Sequence, residues 1–427
     1  MRWPASRSLA AFAFAALLLV ANRTTVKVTP QELHAPSAMP DRVILTWAGD
    51  PATTQAVTWR TSTVVERAVA QLAVAGDGPD FVKQARTVEA RSEAMKTDLN
   101  EARSHSVEFT ALQPATVYAY RVGDGENWSE WNQFRTAASG AAPLEFIYVG
   151  DAQNDIYSMW SRLIRQGLRD APRMQFIVHA GDLITTSTSD ALWGEWHQAA
   201  GWINRSVASF PTPGNHEYPQ IDGKRGLAPL YRPQFTLPGN GIAGLEESNY
   251  FVDIQGVRMI SLNSNERQAE QAAWLDKLLS AGHANRWVVA TFHHPIYSSA
   301  KGRDNPQLRE MWQPLFDKHK VDLVLTGHDH TYARTNLVGG TVYVVSVSGP
   351  KMYTLERNPR MMRAAANTQL FQIVRIDGGT LQYEARTATG ALYDAFALHK
   401  AKKRGGANRL TNRVPSVPER LEPPPGR

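Results

Sequence analysis

Two patterns of apolar and polar residues divide the chain. From Arg42 to Thr136, short apolar runs alternate with turn residues. The runs are RVILTWAGD, QAVTWRTS, AVAQLAVAG, HSVEFTAL, TVYAYRVGD and NQFRTA. Short strands at this spacing are typical of an antiparallel sandwich of about 100 residues. The segment AASGAAP, residues 137–143, is then predicted to be a linker.

From Leu144 onward the pattern changes to strands that alternate with helices. LEFIYVGD and MQFIVHAGD are buried-strand runs, and apolar residues recur at helical spacing between Ile156 and Asp170. Two more amphipathic helices, ERQAEQAAWLDKLLSAG and NPQLREMWQPLFDKHK, lie beside the strands VRMISLN, RWVVATFHH and VDLVLTGHDH. This alternation predicts an α/β domain.

The N-terminal end resembles a targeting segment. Arg2 and Arg7 precede an apolar run of 13 residues that ends at Ala21, which is typical of a signal peptide and short for a membrane span. We therefore expect a signal peptide over residues 1–25 and an exported protein, periplasmic or secreted. An uncleaved anchor remains the alternative, because Leu19 occupies a position where cleavage sites have a small residue.

Charge and cysteine content narrow the classes of partner and site. Residues 400–427 hold eight basic residues and two acidic ones, which equals the whole formal excess of +6. The rest of the chain is close to neutral, so no nucleic-acid partner is expected. The basic, proline-rich tail from residue 400 is predicted to be a solvated, disordered end, with surface adhesion as the alternative. The absence of cysteine excludes disulfides and thiolate metal sites.

Five polar clusters directly follow apolar strands. They are GDAQ with Asp151, GDLIT with Asp182, GNHE with Asn215 and His216, TFHHP with His293 and His294, and GHDH with His328 and His330. In open α/β sheets the carboxyl ends of the strands converge on one edge, where ligands bind. Oxygen donors and imidazoles suit a pair of divalent or trivalent cations that one carboxylate bridges.

Glycines accompany these clusters, and we expect them to let the backbone turn sharply so that the next side chain points into the site. They are Gly150, Gly181, Gly214 and Gly327. The clusters together therefore predict a metal site, although none of them is specific alone.

In order and residue type the clusters resemble the motifs of the metallophosphoesterase superfamily: D-x-G, G-D-x-x-Y, G-N-H-D/E, V-x-x-H and G-H-x-H. The preceding segment HSVEFTALQPATVYAYRVGDGENWSEWNQFRTA resembles the last strands of a fibronectin type III-like domain. Both features together resemble the purple acid phosphatase-like branch. The resemblance implies an all-β fibronectin type III-like sandwich over residues 38–137 and a catalytic domain of two mixed sheets flanked by helices over residues 143–399.

The resemblance also implies a set of metal ligands. Asp151, Asp182 and His330 would hold the first ion, and Asn215, His293 and His328 the second, with Asp182 bridging both. His293 is preferred to His294 because the family places one residue between this ligand and a proline. The ions would be two of Fe, Zn, Mn or Mg.

Two positions depart from the family motifs. The tyrosine that colours purple acid phosphatases falls at Thr185, so this protein is predicted not to be purple. The glycine of the first motif is Gln153, whose amide oxygen is a candidate contact to a metal ion or to a bound water.

The charges of two cations then determine the expected reaction. A water bound to them loses its proton near neutral pH and attacks phosphorus, while the cations neutralise the phosphate oxygens. Asp182 and His216 are therefore the catalytic candidates, and His216 would contact the phosphate and protonate the leaving oxygen. Glu217 and Asp329 are expected to orient neighbouring imidazoles.

Substrate contacts are less well specified by the sequence. His294 is expected beside the ligands, and the loop YSSAKGRDN offers Lys301 or Arg303 as a positive charge for the substrate. The predicted function is hydrolysis of small phosphomonoesters, as in acid phosphatases. The alternatives are a phosphodiesterase, including one for cyclic nucleotides, and a non-catalytic surface-binding protein. The oligomeric state stays open.

Overall fold

The computed structural model describes residues 27–401 and 406–422. The signal peptide predicted over residues 1–25 lies outside the described residues. Among the residues that are described, no helix is long and apolar enough to cross a membrane.

The N-terminal part is a sandwich of two antiparallel sheets. Its strands are β1 Asp41–Thr46, β2 Gln55–Ser62, β3 Val69–Val74, β4 Arg86–Glu89, β5 Arg91–Lys96, β6 Glu101–Phe109, β7 Val117–Gly123 and β8 Asn132–Arg135. One sheet has the order β1-β2-β6-β5 and the other β4-β3-β7-β8. The sequence pattern missed β4 and β5, because both are largely exposed and carry charged residues instead of an apolar alternation.

The C-terminal part contains two seven-stranded mixed sheets. The first has the order β11-β10-β9-β21-β22-β23-β24 and the second β14-β15-β16-β17-β19-β18-β20. The strands of the first are β9 Leu144–Val149, β10 Phe176–Ala180, β11 Ala208–Thr212, β21 Leu370–Asp377, β22 Thr380–Thr387, β23 Leu392–His399 and β24 Arg409–Asn412. Those of the second are β14 Tyr250–Ile254, β15 Val257–Ser261, β16 Trp287–Thr291, β17 Leu323–Thr326, β18 Tyr332–Thr335, β19 Val342–Val345 and β20 Met361–Ala365.

Helices and short turns connect these strands. The helices are α1 Pro30–Leu33, α2 Ser161–Asp170, α3 Asp190–Ala200, α4 Ile203–Ser206, α5 Gln268–Ser280 and α6 Pro306–His319. A hairpin is formed by β12 Gln220–Ile221 and β13 Lys224–Arg225, and Asn215–Glu217 is a single turn of 3₁₀-helix. The predicted helix from Ile156 begins as a π-helical turn, Ile156–Trp160, before it continues as α2.

Alternation along the strands sets the layers of the C-terminal domain. Val289 of β16 lies in the same apolar cluster as Ile147 of the first sheet, so the two sheets pack face to face. The next residue, Ala290, belongs to a second cluster with Trp312 and Phe316 of α6, which therefore covers the outer face. The predicted fold class, an all-β sandwich followed by an α/β domain of two mixed sheets flanked by helices, is confirmed.

A buried ionic cluster joins the two domains. Asp190, the first residue of α3, accepts hydrogen bonds from Arg42 at 2.6 Å and from Arg60 at 2.9 Å, and both arginines belong to the sandwich. Arg60 also pairs with Asp41 at 2.6 Å. The carboxylate of Asp98 accepts the backbone N–H of Asp190 at 2.7 Å. The sandwich thus caps α3 and supplies both counter-charges of Asp190. We call this set the interdomain cluster.

The prediction of a disordered tail is wrong for much of the described part. Residues Arg409–Asn412 form β24, which pairs antiparallel with β23 at the edge of the first sheet. Asn408 Nδ2 and Lys400 Nζ each donate to the buried carboxylate of Asp322 at 2.5 Å. Basic and proline-rich composition suggested a solvated end, but the edge strand and a buried carboxylate provide partners that composition does not reveal.

Candidate metal centre

Five strand ends bring the predicted polar clusters together. Asp151 follows β9, Asp182 follows β10, Asn215 follows β11, His293 follows β16, and His328 with His330 follows β17. In the first sheet β9, β10 and β11 are parallel neighbours, and in the second β16 and β17 are parallel neighbours. Because the two sheets face each other, both sets of carboxyl ends open onto the same edge.

The six side chains predicted as ligands lie together at that edge. Ligand atoms of Asp182, His293 and His328 lie within 4.8 Å of one another, and so do those of Asp151, Asp182 and His330. Asp182 belongs to both groups. His293 Nε2 lies 3.2 Å from Asp182 Oδ2 and 3.1 Å from Asn215 Oδ1, which places the amide oxygen of Asn215 beside the first of these groups.

Burial of two neighbouring carboxylates governs the electrostatics of the site. Burial raises the pKa of Asp151 well above its usual range, and the negative charge of Asp182 contributes in the same direction. Burial also acts to raise the pKa of Asp182, but the charges and hydrogen bonds of His293 and His216 together outweigh burial and leave this pKa lowered. Burial acts to lower the pKa of His293, but the charge and hydrogen bond of Asp182, with the charge of Asp151 and the contact to the Ala180 carbonyl, together raise it to about 9. The carboxylates thus demand positive charge, which a cation would also supply.

Two of the imidazoles are oriented by backbone carbonyls. His293 Nδ1 contacts the carbonyl oxygen of Ala180, and His330 Nδ1 contacts that of Lys351, both at 2.9 Å. A hydrogen on Nδ1 that donates to a carbonyl leaves the lone pair of Nε2 for a metal ion. Sequence reasoning could not find these two carbonyls, because every residue has one.

The backbone is strained at four of the candidate ligands. Asp151, Asp182, His328 and His330 have φ values of 53°, 51°, 75° and 49°, in the left-handed region. Non-glycine residues there cost roughly 1–3 kcal/mol each, and such residues concentrate at functional sites. The surrounding strands therefore hold these side chains in directions that a relaxed loop would not adopt.

Only one of the accompanying glycines has the backbone conformation expected of a sharp turn. Of the four, only Gly181 has a positive φ, 82°. A Cβ on Gly214 would lie 2.1 Å from Asp182 Oδ1, and one on Gly327 would lie 2.5 Å from Asp151 Oδ2. These glycines therefore make room for the carboxylates, and the sharp turns fall on the ligand candidates themselves.

His216 lies at the rim of the site with its ring oriented by the backbone. Its Nδ1 contacts the carbonyl oxygen of Thr185, its Nε2 lies 4.0 Å from Asp182 Oδ2, and its side chain is 27% exposed. Its backbone N–H donates to Asp182 Oδ1 at 2.9 Å. The hydroxyl of Thr185 accepts the backbone N–H of Asn154 at 3.1 Å, so this residue shapes the loop and offers no phenolate.

Gln153 is buried between the candidate ligands of the first ion. Its Nε2 lies 3.1 Å from Asp182 Oδ2 and 2.9 Å from His330 Nε2, while its Oε1 is buried without a hydrogen-bond partner. The two ends of an amide are interchangeable by a flip about the last side-chain bond. The flip would direct the orphaned oxygen to Asp182 and His330, where a cation needs a donor, so the residues present fit a metal ion.

The two carboxylates expected to orient imidazoles contact backbone amides instead. Glu217 accepts the N–H groups of Gly214 at 2.7 Å and Asp182 at 2.9 Å, and its burial, with the charge of Asp182, raises its pKa to about 7. Asp329 accepts the N–H of Ser299 at 2.8 Å. Because His328 and His330 both turn through positive φ toward the site, the residue between them points the other way.

The loop after the fourth cluster contributes Arg303. Its Nη2 lies within hydrogen-bond distance of His328 Nε2, and its Nη1 donates to the His328 carbonyl oxygen at 3.0 Å. Lys301 is exposed. The half-buried ring of His294 lies 4.2 Å from that of His328 between centroids, and its Nδ1 contacts Ser264 Oγ at 2.8 Å.

Two further features lie beside the site, and the second of them was not located from the sequence. The ring of Tyr353 packs against that of His330 with centroids 4.7 Å apart. A cavity of about 190 Å³ adjoins Asn215 and His294 and is lined also by Arg225 and Glu266. Both features depend on chain segments that follow no motif, and only the fold brings them to the site.

Comparisons with known families match both parts of the chain. Residues 40–136 match the family described as "Purple acid Phosphatase, N-terminal domain", and residues 144–332 match "Calcineurin-like phosphoesterase". The "Uncharacterized protein Rv2577" of Mycobacterium tuberculosis is 26% identical over 70% of this chain and 62% of its own length. "Acid phosphatase type 7" of Homo sapiens is 28% identical over 71% of this chain and 72% of its own. The chain thus spans less than two thirds of the first of these relatives.

A solved structure shows the same fold. The purple acid phosphatase isolated from yellow lupin seeds superposes with a TM-score of 0.73 at 18% sequence identity, over 86% of this chain and 76% of that one. At this identity the likeness establishes the architecture.

Proposed function

Because the chain belongs to the metallophosphoesterase superfamily, in its purple acid phosphatase-like branch, we propose that it hydrolyses phosphomonoesters with a pair of metal ions. One observation carries the proposal: two groups of ligand atoms share Asp182, so that one carboxylate can bridge two cations. All six ligand positions implied by the family motifs carry Asp, Asn or His, and none carries an apolar residue. The proposal therefore favours an enzyme over a non-catalytic binding protein.

Each residue of the centre would have a defined role. Asp151, Asp182 and His330 would hold the first ion with the amide oxygen of Gln153, and Asn215, His293 and His328 would hold the second. Two bound ions would lower the pKa of a water and neutralise the phosphate oxygens. Their identity among Fe, Zn, Mn and Mg is open.

His216 would contact the phosphate and protonate the leaving oxygen. Its ring is held by the Thr185 carbonyl, so that Nε2 is the nitrogen nearer the carboxylate of Asp182. A general acid must lie within hydrogen-bond reach of the atom that it protonates, and Nε2 is the only ring nitrogen of His216 not taken by the backbone. Without the family tyrosine at Thr185, the loaded protein should not be purple.

The surroundings of the centre support a small substrate. The cavity beside Asn215 and His294 has about 190 Å³ and a polar lining, which suits a compact, polar leaving group. We further propose that the protein is exported, to the periplasm or the medium, where such an enzyme would release phosphate from organic esters. The apolar segment after Arg7 supports this location.

A paired assay tests the proposed function. Full-length protein stripped with a chelator receives Fe, Mn, Zn or Mg singly and is then offered p-nitrophenyl phosphate or bis-p-nitrophenyl phosphate. We expect at least one metal to restore hydrolysis, with the monoester as the faster substrate. Faster cleavage of the diester would assign a phosphodiesterase, and no hydrolysis with any metal would favour the binding protein.

A further inference from the structure

In two candidate ligands, the ring nitrogen that points away from the site contacts a hydrogen-bond acceptor. His293 Nδ1 and His330 Nδ1 face the carbonyl oxygens of Ala180 and Lys351. Each carbonyl can only accept, so each of these two rings carries a hydrogen on Nδ1, and Nε2 is the nitrogen that faces the site. Nε2 of His293 and of His330 is therefore the atom that would bind a cation.

His328 is arranged in the opposite way. Its Nδ1 is the inner nitrogen, 3.1 Å from His293 Nε2, and its outer Nε2 faces the guanidinium of Arg303. A guanidinium has donors only. The outer nitrogen of this ring must then be an acceptor, and the hydrogen of the neutral ring lies on Nδ1, toward the site.

This hydrogen-bond pattern and metal binding exclude each other. A cation on Nδ1 of His328 needs the lone pair there, which moves the hydrogen of the ring to Nε2. The N–H of Nε2 would then face the N–H of Arg303, and two donors cannot form a hydrogen bond. The contact between Arg303 and the ring must break when His328 becomes a ligand.

Arg303 would stay at the site after this contact breaks. Its Nη1 donates to the carbonyl oxygen of His328 at 3.0 Å, and its guanidinium carbon lies 5.1 Å from the ring centroid of Tyr353. Its Nε lies 3.9 Å from the buried carboxylate of Asp329. These contacts hold the side chain, whereas Nη2 would need a new acceptor. A phosphate oxygen bound beside the second ion would be a charged acceptor for this nitrogen.

We propose that Arg303 is a phosphate-binding residue that metal binding at His328 releases for this use. The inference rests on the proposed function and adds a coupling between binding of the second ion and binding of phosphate. Before phosphate arrives, Arg303 competes with the second ion for His328; once the ion is bound, Arg303 stabilises the phosphate. By linkage, phosphate and the second ion must each increase the affinity of the other.

Calorimetry on the full-length protein measures this coupling without relying on turnover. Zn²⁺ is titrated into stripped wild type, Arg303→Met and Arg360→Met, each with and without inorganic phosphate, and phosphate is titrated into the loaded forms. Arg360 has the same charge but lies over the ring of Tyr297, so it is the matched control. We expect phosphate to bind Arg303→Met about 10-fold or more weakly than wild type, as for loss of a charge-assisted hydrogen bond. The coupling between Zn²⁺ binding and phosphate binding should also be reduced in this variant. Arg360→Met should behave as wild type.

The hydrogen on the His328 ring provides a second, independent measurement. Nitrogen-15 NMR of histidine-labelled protein should place this hydrogen on Nδ1 in stripped wild type and on Nε2 after Zn²⁺ is added. Arg303→Lys, which keeps the charge, controls for any loss of structure in Arg303→Met. A hydrogen on Nε2 before Zn²⁺ is added, or unchanged phosphate affinity in Arg303→Met, would overturn the proposal. If the proposal for Arg303 fails but wild type binds Zn²⁺ and cleaves phosphate esters, the proposed function survives. If wild type does neither, the proposed function fails as well.

Discussion

Two of the buried clusters of charge in the described part of the chain differ in how their carboxylates are balanced. In the interdomain cluster, each oxygen of Asp190 faces an arginine, Arg42 on one side and Arg60 on the other. In the metal centre, Asp151 and Asp182 lie close together and have imidazoles in place of permanent positive charges. The charges of the interdomain cluster are balanced by side chains alone, whereas the candidate metal centre has unbalanced negative charge that cations would neutralise.

This difference separates a structural use of buried charge from the proposed catalytic one. Arginine remains positive at any ordinary pH, so the interdomain cluster keeps its geometry unaided. Imidazoles and carboxylates offer lone pairs to a cation, and strained backbone at Asp182 and His330 aims them. The comparison predicts that replacing Asp182 lowers the turnover of the enzyme, whereas replacing Asp190 lowers the stability of the fold.

The largest effect is expected from Asp182→Asn. The variant should fold but lose turnover by about three orders of magnitude or more, because it removes the carboxylate common to both groups of ligand atoms. Steady-state hydrolysis of a phosphomonoester and circular dichroism of the same sample measure the two quantities. Activity within tenfold of wild type would show that Asp182 does not bridge two ions.

Asp190→Ala should act on stability and leave the chemistry in place. It leaves two buried arginines without their shared partner, which typically costs about 3–5 kcal/mol of the free energy of unfolding. Urea denaturation measures this loss. As a control, Glu89→Ala removes an exposed pair with Arg67 and should cost less than about 1 kcal/mol. A similar small loss for Asp190→Ala would contradict the role of the interdomain cluster.

His216→Ala tests whether the proton donor is a different residue from the metal ligands. Because His216 lies at the rim and is not among the ligand groups, the variant should keep its metal content and lose roughly 10²–10³-fold in kcat. His319→Ala, at a pair with Asp276 outside the centre, should retain full activity. Full activity in His216→Ala would remove its role as the acid, and loss of metal would make it a ligand.

The sequence predicted the metal centre better than the interdomain cluster. Strand-end motifs are local, so Asp151 and His330 could be identified before their contact was known. Asp190, Arg42 and Arg60 lie in segments without any motif, and their contact depends on how two domains pack.

The prediction of a disordered tail failed for the same reason. Asn408 and its acceptor Asp322 are far apart in the chain, so the sequence does not reveal their contact. Glu217 and Asp329 lie near the centre, but their partners include backbone amides, which no sequence pattern marks.

Metal content tests the central claim most directly. Wild type and Asp182→Asn are dialysed against each candidate metal, and bound metal per chain is determined by elemental analysis alongside phosphomonoester hydrolysis. The account predicts about two ions per chain in active wild type, and a loss of both metal and activity in the variant. Fewer than one ion per chain in fully active wild type would contradict it.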